Sequence, residues 1–205
     1  MIDTFKTIKT PSKETLFKDK NSKFYGFAFP VTNEENVKII LSDLKKKHPN
    51  AGHYCYAYKI GLSNFKYRFN DDGEPNNTAG LPIYGQIKSF DVTNVLIVSI
   101  RYFGGVKLGV SGLISAYRNS AKITLEESDI VEKVIEVFFQ LNFNYDVMNR
   151  VMKIIKEKNI KIVNQKLELD CEYKISVRKN DADSIFRIFN TSHKIDILKL
   201  ESHFD

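Results

Sequence analysis

The sequence predicts an α+β fold in two domains, residues 1–130 and 131–205, on three observations. The first part mixes strand-like and helix-like periodicities. The second part runs β-α-β-β-α-β, the order of a ferredoxin-like split βαβ sandwich. Between them, Glu126 to Lys133 ends a helical pattern and begins a strand, without a Pro/Gly/Ser-rich linker.

In the first part, Phe24 to Val31 alternates weakly and predicts a strand. Thr32 and Glu35 have the spacing of a capping box, in which hydroxyl and carboxylate satisfy amides of the first helical turn. Val37, Ile40, Leu41 and Leu44 then follow at i, i+3, i+4 and i+7, predicting an amphipathic helix. Tyr54 to Ile60 alternates strictly and predicts a strand with three tyrosines on one face. Asn94 to Ile100 is a continuous apolar strand expected to be buried on both faces. Leu113, Ala116, Tyr117, Ser120, Ala121 and Thr124 describe a helix whose small-residue stripe lets it pack closely on a sheet.

In the second part, Ile135, Val137, Phe139, Leu141 and Phe143 alternate through one long strand. Met148, Val151, Met152 and Ile155 mark a helix, and 160–169 with 171–178 read as a hairpin turning near Asp170. Ala182, Ile185, Phe186 and Phe189 mark a second helix, and 195–200 a last strand.

Composition narrows the class. No apolar run approaches the roughly 18–20 residues of a membrane helix, and Met1 to Lys6 carries no apolar signal core. Cys55 and Cys171 stand far apart in strand-like stretches, so neither a metal spacing nor a disulfide framework is expected. The reading is a soluble cytoplasmic protein without a membrane partner. The net charge of +6 is uneven: up to residue 130 there are 18 Lys+Arg against 13 Asp+Glu, and afterwards 13 against 12. A basic first domain suits nucleic acid or another anionic surface, and equally a solvated lysine-rich face.

Two segments rise above composition. In 70–82, Asp71, Asp72 and Glu74 flank Gly73 between Pro75 and Asn70, followed by Thr78-Ala79-Gly80 and Pro82. Gly73 permits positive φ and Pro75 fixes φ, so the loop gathers carboxylates. It reads as a site for Mg²⁺, an amine or a Lys/Arg partner, or as an acidic turn whose carboxylates bond its own amides. In 101–113, Arg101, Tyr102, Gly104, Gly105 and Lys107 form a glycine-rich basic turn opening onto a helix. Such a turn can cradle phosphate, though its spacing is neither Walker A nor Rossmann. Otherwise it is a tight strand-to-helix connection with Arg101 paired to the acidic loop. His53 reads as a general base or ligand, or as a packed and hydrogen-bonded histidine; Cys55 reads as core.

Together these segments resemble the YigZ/IMPACT family. The pattern Asp-Asp-Gly-Glu-Pro, a gap, Thr-Ala-Gly and a proline falls on Asp71–Pro75 and Thr78–Pro82. Arg-Tyr-Phe-Gly-Gly, Lys-Leu-Gly, Gly-Leu and Ala-Tyr fall on Arg101–Gly105, Lys107–Gly109, Gly112–Leu113 and Ala116–Tyr117. His53 to Tyr58 is similar to the family's histidine-cysteine-tyrosine strand. Departures are Asn76-Asn77 in place of Ser-Gly and Ser115 in place of an arginine, which thins the expected basic surface. The resemblance implies a first domain like domain IV of elongation factor G and a second like its domain V. Eukaryotic members regulate translation by binding a ribosome-associated activator of an initiation-factor kinase and carry an extra N-terminal domain; neither that domain nor that partner is expected here.

The leading expectation is a non-enzymatic, translation-linked regulator that binds RNA, the ribosome or another anionic partner. Beside it stand a Mg²⁺-dependent enzyme acting on a phosphorylated or nucleotide-like small molecule, and a protein-binding module using the acidic loop. Candidate ligand- or partner-binding residues are His53, Asp71, Asp72, Glu74, Thr78, Arg101, Tyr102, Gly104, Gly105, Lys107 and Tyr117. No catalytic residue, metal ligand or cofactor is assigned.

Overall fold

The computed structural model describes residues 3–200, which fall into two compact units: residues 5–133, and residues 134–200 with Asp3 and Thr4. Met1 and Ile2 of the stretch read for a signal, and residues 201–205 of the expected second domain, lie outside the described residues. No described helix is long and apolar enough to cross a membrane.

The chain forms β1 (Thr4–Ile8), β2 (Thr15–Asp19), β3 (Ser22–Pro30), α1 (Glu34–Lys47), β4 (His53–Ile60) and β5 (Lys66–Asn70). It continues through α2 (Gly80–Ser89), β6 (Val95–Tyr102), α3 (Gly109–Glu126) and β7 (Ile130–Val134). An antiparallel five-stranded sheet has the order β2-β3-β6-β4-β5, and β1 pairs with β7. Lys20 and Asn21 both take positive φ, so β2 and β3 are joined by a two-residue turn whose twist matches its strands.

The central strand β6 is buried from Val95 to Arg101, as a continuous apolar run predicts. Its alternate residues serve two cores. Val95 and Ile97 join Phe24, Ala28, Cys55 and Ala57 beneath α2 and α3. Leu96, Val98 and Ile100 join Phe27, Tyr58 and Ile60 beneath Val37 and Leu44 of α1. The predicted stripe of α3, from Leu113 through Thr124, is buried at every position named.

Two local expectations are corrected. The cap of α1 is Asn33, not Thr32: the Asn33 side chain accepts from the Asn36 amide at 2.8 Å, and Thr32 Oγ1 donates to Asn36 Oδ1. Gly80 to Pro82, read as the end of the acidic loop, instead open the helix α2 (Gly80–Ser89).

The second unit consists of β8 (Glu136–Asn144), α4 (Met148–Glu157), β9 (Lys161–Lys166), β10 (Asp170–Arg178), α5 (Ala182–Asn190) and β11 (Ile195–Lys199). Its antiparallel sheet has the order β11-β8-β10-β9, the arrangement of a split βαβ sandwich. The long strand expected from Ile135 is interrupted there, between β7 and β8. Asp170 opens β10 instead of forming the turn, which lies at 167–169. Phe139, Leu141 and Phe143 face Val151, Ile155, Ile185 and Phe189 across one core.

Candidate functional site

The acidic loop connects β5 to α2, and its first carboxylate explains why α2 begins where it does. A helix start leaves four amides without intrahelical acceptors. Ala79, the residue before α2, has no side chain to fill that role. Asp71 fills it from eight residues upstream: Oδ1 accepts from the Ala79 and Gly80 amides, each at 2.9 Å, and Oδ2 accepts from the Asn77 amide at 2.9 Å. Its negative charge also suits the positive end of the helix dipole. Thr78, buried, donates from Oγ1 to Pro75 O at 2.6 Å and closes the loop from inside.

Asp72 turns the other way. It sits at positive φ, accepts from the Tyr54 amide through Oδ2 at 2.7 Å, and receives His53 Nδ1 on its carbonyl at 2.8 Å. Gly73 follows at φ +87°, a conformation glycine adopts without a Cβ penalty, and the chain bends inward. Glu74 thereby enters the unit with its side chain 4% exposed. Oε1 accepts from Arg101 Nη1 and from the Tyr117 hydroxyl, both at 2.7 Å. His53 Nε2 stands 3.9 Å from the same oxygen.

Arg101 is the cross-strand neighbour of both Phe24 and His53 in the central strand. Its guanidinium carbon lies 5.6 and 5.4 Å from the Phe24 and Phe103 ring centroids, so cation–π contacts and an ion pair fix it together. Its Nε has no hydrogen-bond partner among the described residues. The two motif segments thus meet in a buried Arg101–Glu74 pair. The three carboxylates of the loop have separate partners, and no described group of three or more His, Cys, Asp or Glu is placed to hold a metal ion.

The glycine turn has a structural account of its own. A Cβ on Gly104 would lie 2.1 Å from the Asn21 carbonyl carbon, so the β2–β3 turn can approach this backbone only if residue 104 is glycine. Ser22 Oγ ties the same junction, accepting from the Gly104 amide at 3.2 Å and from Arg101 Nη2 at 3.4 Å. Gly105 takes φ +86° on the exposed side, and Lys107 is exposed beside it.

The structure therefore brings His53, Asp71, Asp72, Glu74, Thr78, Arg101, Gly104 and Tyr117 into one continuous cluster. Tyr102 is not part of it: alternation along β6 sends it to the opposite face, where its hydroxyl meets His48 Nδ1 at 3.2 Å. Two members escaped the sequence reading. Ser22 carried no signal, because its role depends on a hairpin brought from 79 residues away. Cys55 was read as core, which its complete burial matches, but its thiol also donates to Asp71 O at 3.0 Å. Burial pushes the Cys55 thiol far above its ordinary value, and burial likewise holds the Tyr117 phenol protonated, helped by nearby Cys55 and Glu74.

Comparison with known proteins places this cluster in a recurring setting. The Impact N-terminal domain profile matches residues 20–125, which contain every residue of the cluster. IMPACT family member YvyE of Bacillus subtilis is 29% identical over 199 residues, 96% of this chain and 91% of that protein. An IMPACT family member of Thermus thermophilus is 37% identical over 126 residues, 60% of this chain and 67% of that protein. A crystal structure of a hypothetical protein superposes with a TM-score of 0.71 at 22% identity, covering 98% of this chain and 100% of that one. This last likeness is one of fold.

Proposed function

The chain belongs to the IMPACT family through its Impact N-terminal domain, and from that premise we propose that it is a non-enzymatic, translation-linked binding protein whose partner is RNA, the ribosome or another anionic surface. The observation that carries this reading is the division of charge in the first unit. The carboxylates of the acidic loop are engaged inside the unit, by amides or by Arg101. Lys45, Lys66, Arg68, Lys88 and Lys107 are exposed, and none forms an ion pair among the described residues. An acidic loop consumed in this way is poorly suited to capture Mg²⁺ or a basic segment, which weighs against the enzyme and acidic-loop alternatives. The resemblance of the two domains to domains IV and V of elongation factor G belongs to the same proposal and makes the ribosome a first partner to test, in a cytoplasmic setting.

Ribosome co-sedimentation and filter binding to structured RNA, each at low and moderate salt, test the proposal. Binding is expected and should fall steeply with salt, because lysines and arginines release counterions from phosphates. A folded protein that binds in neither assay overturns it.

A further inference from the structure

The five-stranded sheet ends at β5, and a line of rings runs along one face of that edge. Lys59 on β4 is the cross-strand partner of Tyr67 on β5, so the two side chains share a face. Lys59 Nζ lies 4.8 Å from the Phe65 centroid, and Phe65 is 6.2 Å from Tyr67. Tyr67 stacks on Tyr84 at 4.8 Å with planes 15° apart, and Lys88 Nζ lies 5.4 Å from the Tyr84 centroid. Three rings in a row carry a lysine at either end.

This line is not ordinary core. Tyr84 is anchored, 7% exposed, in the core beneath α2, whereas Phe65 and Tyr67 remain 43% and 54% exposed. A lysine alone would suffice to guard a sheet edge. Two exposed aromatic rings flanked by cations that pair with no described carboxylate instead match what unpaired nucleotides require: faces for bases and positive charge for the phosphates between them. We propose that Phe65 and Tyr67, with Lys59 and Lys88, form a stacking platform for unpaired bases of single-stranded RNA. Charge complementarity selects the occupant: an acidic peptide would meet the lysines but gain little from the open ring faces. The inference rests on the RNA reading above and assigns that binding a place away from the Arg101–Glu74 cluster.

Fluorescence anisotropy of a labelled 12-nucleotide oligouridylate, titrated with the full chain, tests it. Tyr67→Leu should weaken binding about tenfold or more, while Tyr67→Phe keeps the ring and should bind like the parent. Removing Lys59 and Lys88 by alanine substitution should flatten the dependence of log K on log salt by about 0.7 for each lysine. The chain has no tryptophan, so Tyr67→Trp places a single indole on the platform, and the oligonucleotide should quench it. Equal affinity of the Tyr67→Leu and parent proteins, with no indole quenching, overturns the platform. So does equally effective competition by an RNA duplex. If ribosomes or structured RNA bind while the oligouridylate does not, the platform fails and the RNA reading stands; if nothing binds, both fail.

Discussion

Arg101 and Glu74 form an ion pair of 2.7 Å with side chains 6% and 4% exposed, and the same glutamate oxygen accepts the Tyr117 hydroxyl. Desolvating two charges is costly, and their attraction offsets that cost only while both are present. Glu74→Met should therefore destabilise the first unit by about 3–5 kcal/mol, since it strands a buried guanidinium. Replacing Glu74 and Arg101 together by methionine should cost less than the sum of the single changes. Urea unfolding of the four proteins as a double-mutant cycle measures the difference. Additive costs would mean the pair contributes nothing as a pair.

Tyr117→Phe removes the second donor to that oxygen and leaves packing intact. A hydrogen bond to a charged group contributes about 1.5–3 kcal/mol, so a loss in that range is expected in the same unfolding assay. A negligible loss would show that Arg101 alone satisfies the carboxylate.

Asp71 caps α2 from a distance, so Asp71→Ala should uncap three amides at once and destabilise by about 2 kcal/mol, at the upper end of measured caps. Hydrogen exchange should show Asn77, Ala79 and Gly80 losing protection before β6 does. Asp71→Asn keeps one acceptor and should fall between.

That capping explains what the sequence could reveal and what it could not. The stripe of α3 and the buried run of β6 are patterns of neighbours, written at periods of 3.6 and 2, and the structure places them as read. Helix α2 was illegible because its start lacks a capping side chain and its first turn contains Gly80 and Pro82; its acceptor lies eight residues away across a loop. The same holds for Gly104, whose glycine-rich setting suggested a phosphate cradle. Its requirement comes from Asn21, a contact no local spacing encodes. The platform was missed for a similar reason, since Tyr84 joins Tyr67 only once α2 packs on the sheet edge.

Both cysteines are buried, and burial raises the Cys55 thiol so far that it stays protonated at pH 8. Native protein at pH 8 should react with a thiol reagent such as DTNB negligibly at Cys55, and denatured protein should react at both cysteines. Rapid native labelling of Cys55, read by mass spectrometry, would contradict the closed cluster around Asp71.

His48 gives the first unit a pH dependence. It caps the end of α1 between the Tyr25, Phe27 and Tyr102 rings, 8% exposed, with Nε2 lacking a hydrogen-bond partner among the described residues. Burial lowers its pKa below the ordinary histidine value of 6.5, reinforced by Lys47; Glu14, with Oε2 at 3.9 Å, opposes the shift. The unfolded chain consequently binds a proton that the folded unit resists. Stability from this group is complete above pH 6.5 and declines as pH falls below it. The urea midpoint of the first unit should drop between pH 7 and 5, and His48→Phe should flatten that slope while leaving carboxylate effects near pH 4 in place. An NMR titration placing the His48 imidazole at or above 6.5 would reverse the expected sign, because Glu14 would then outweigh burial.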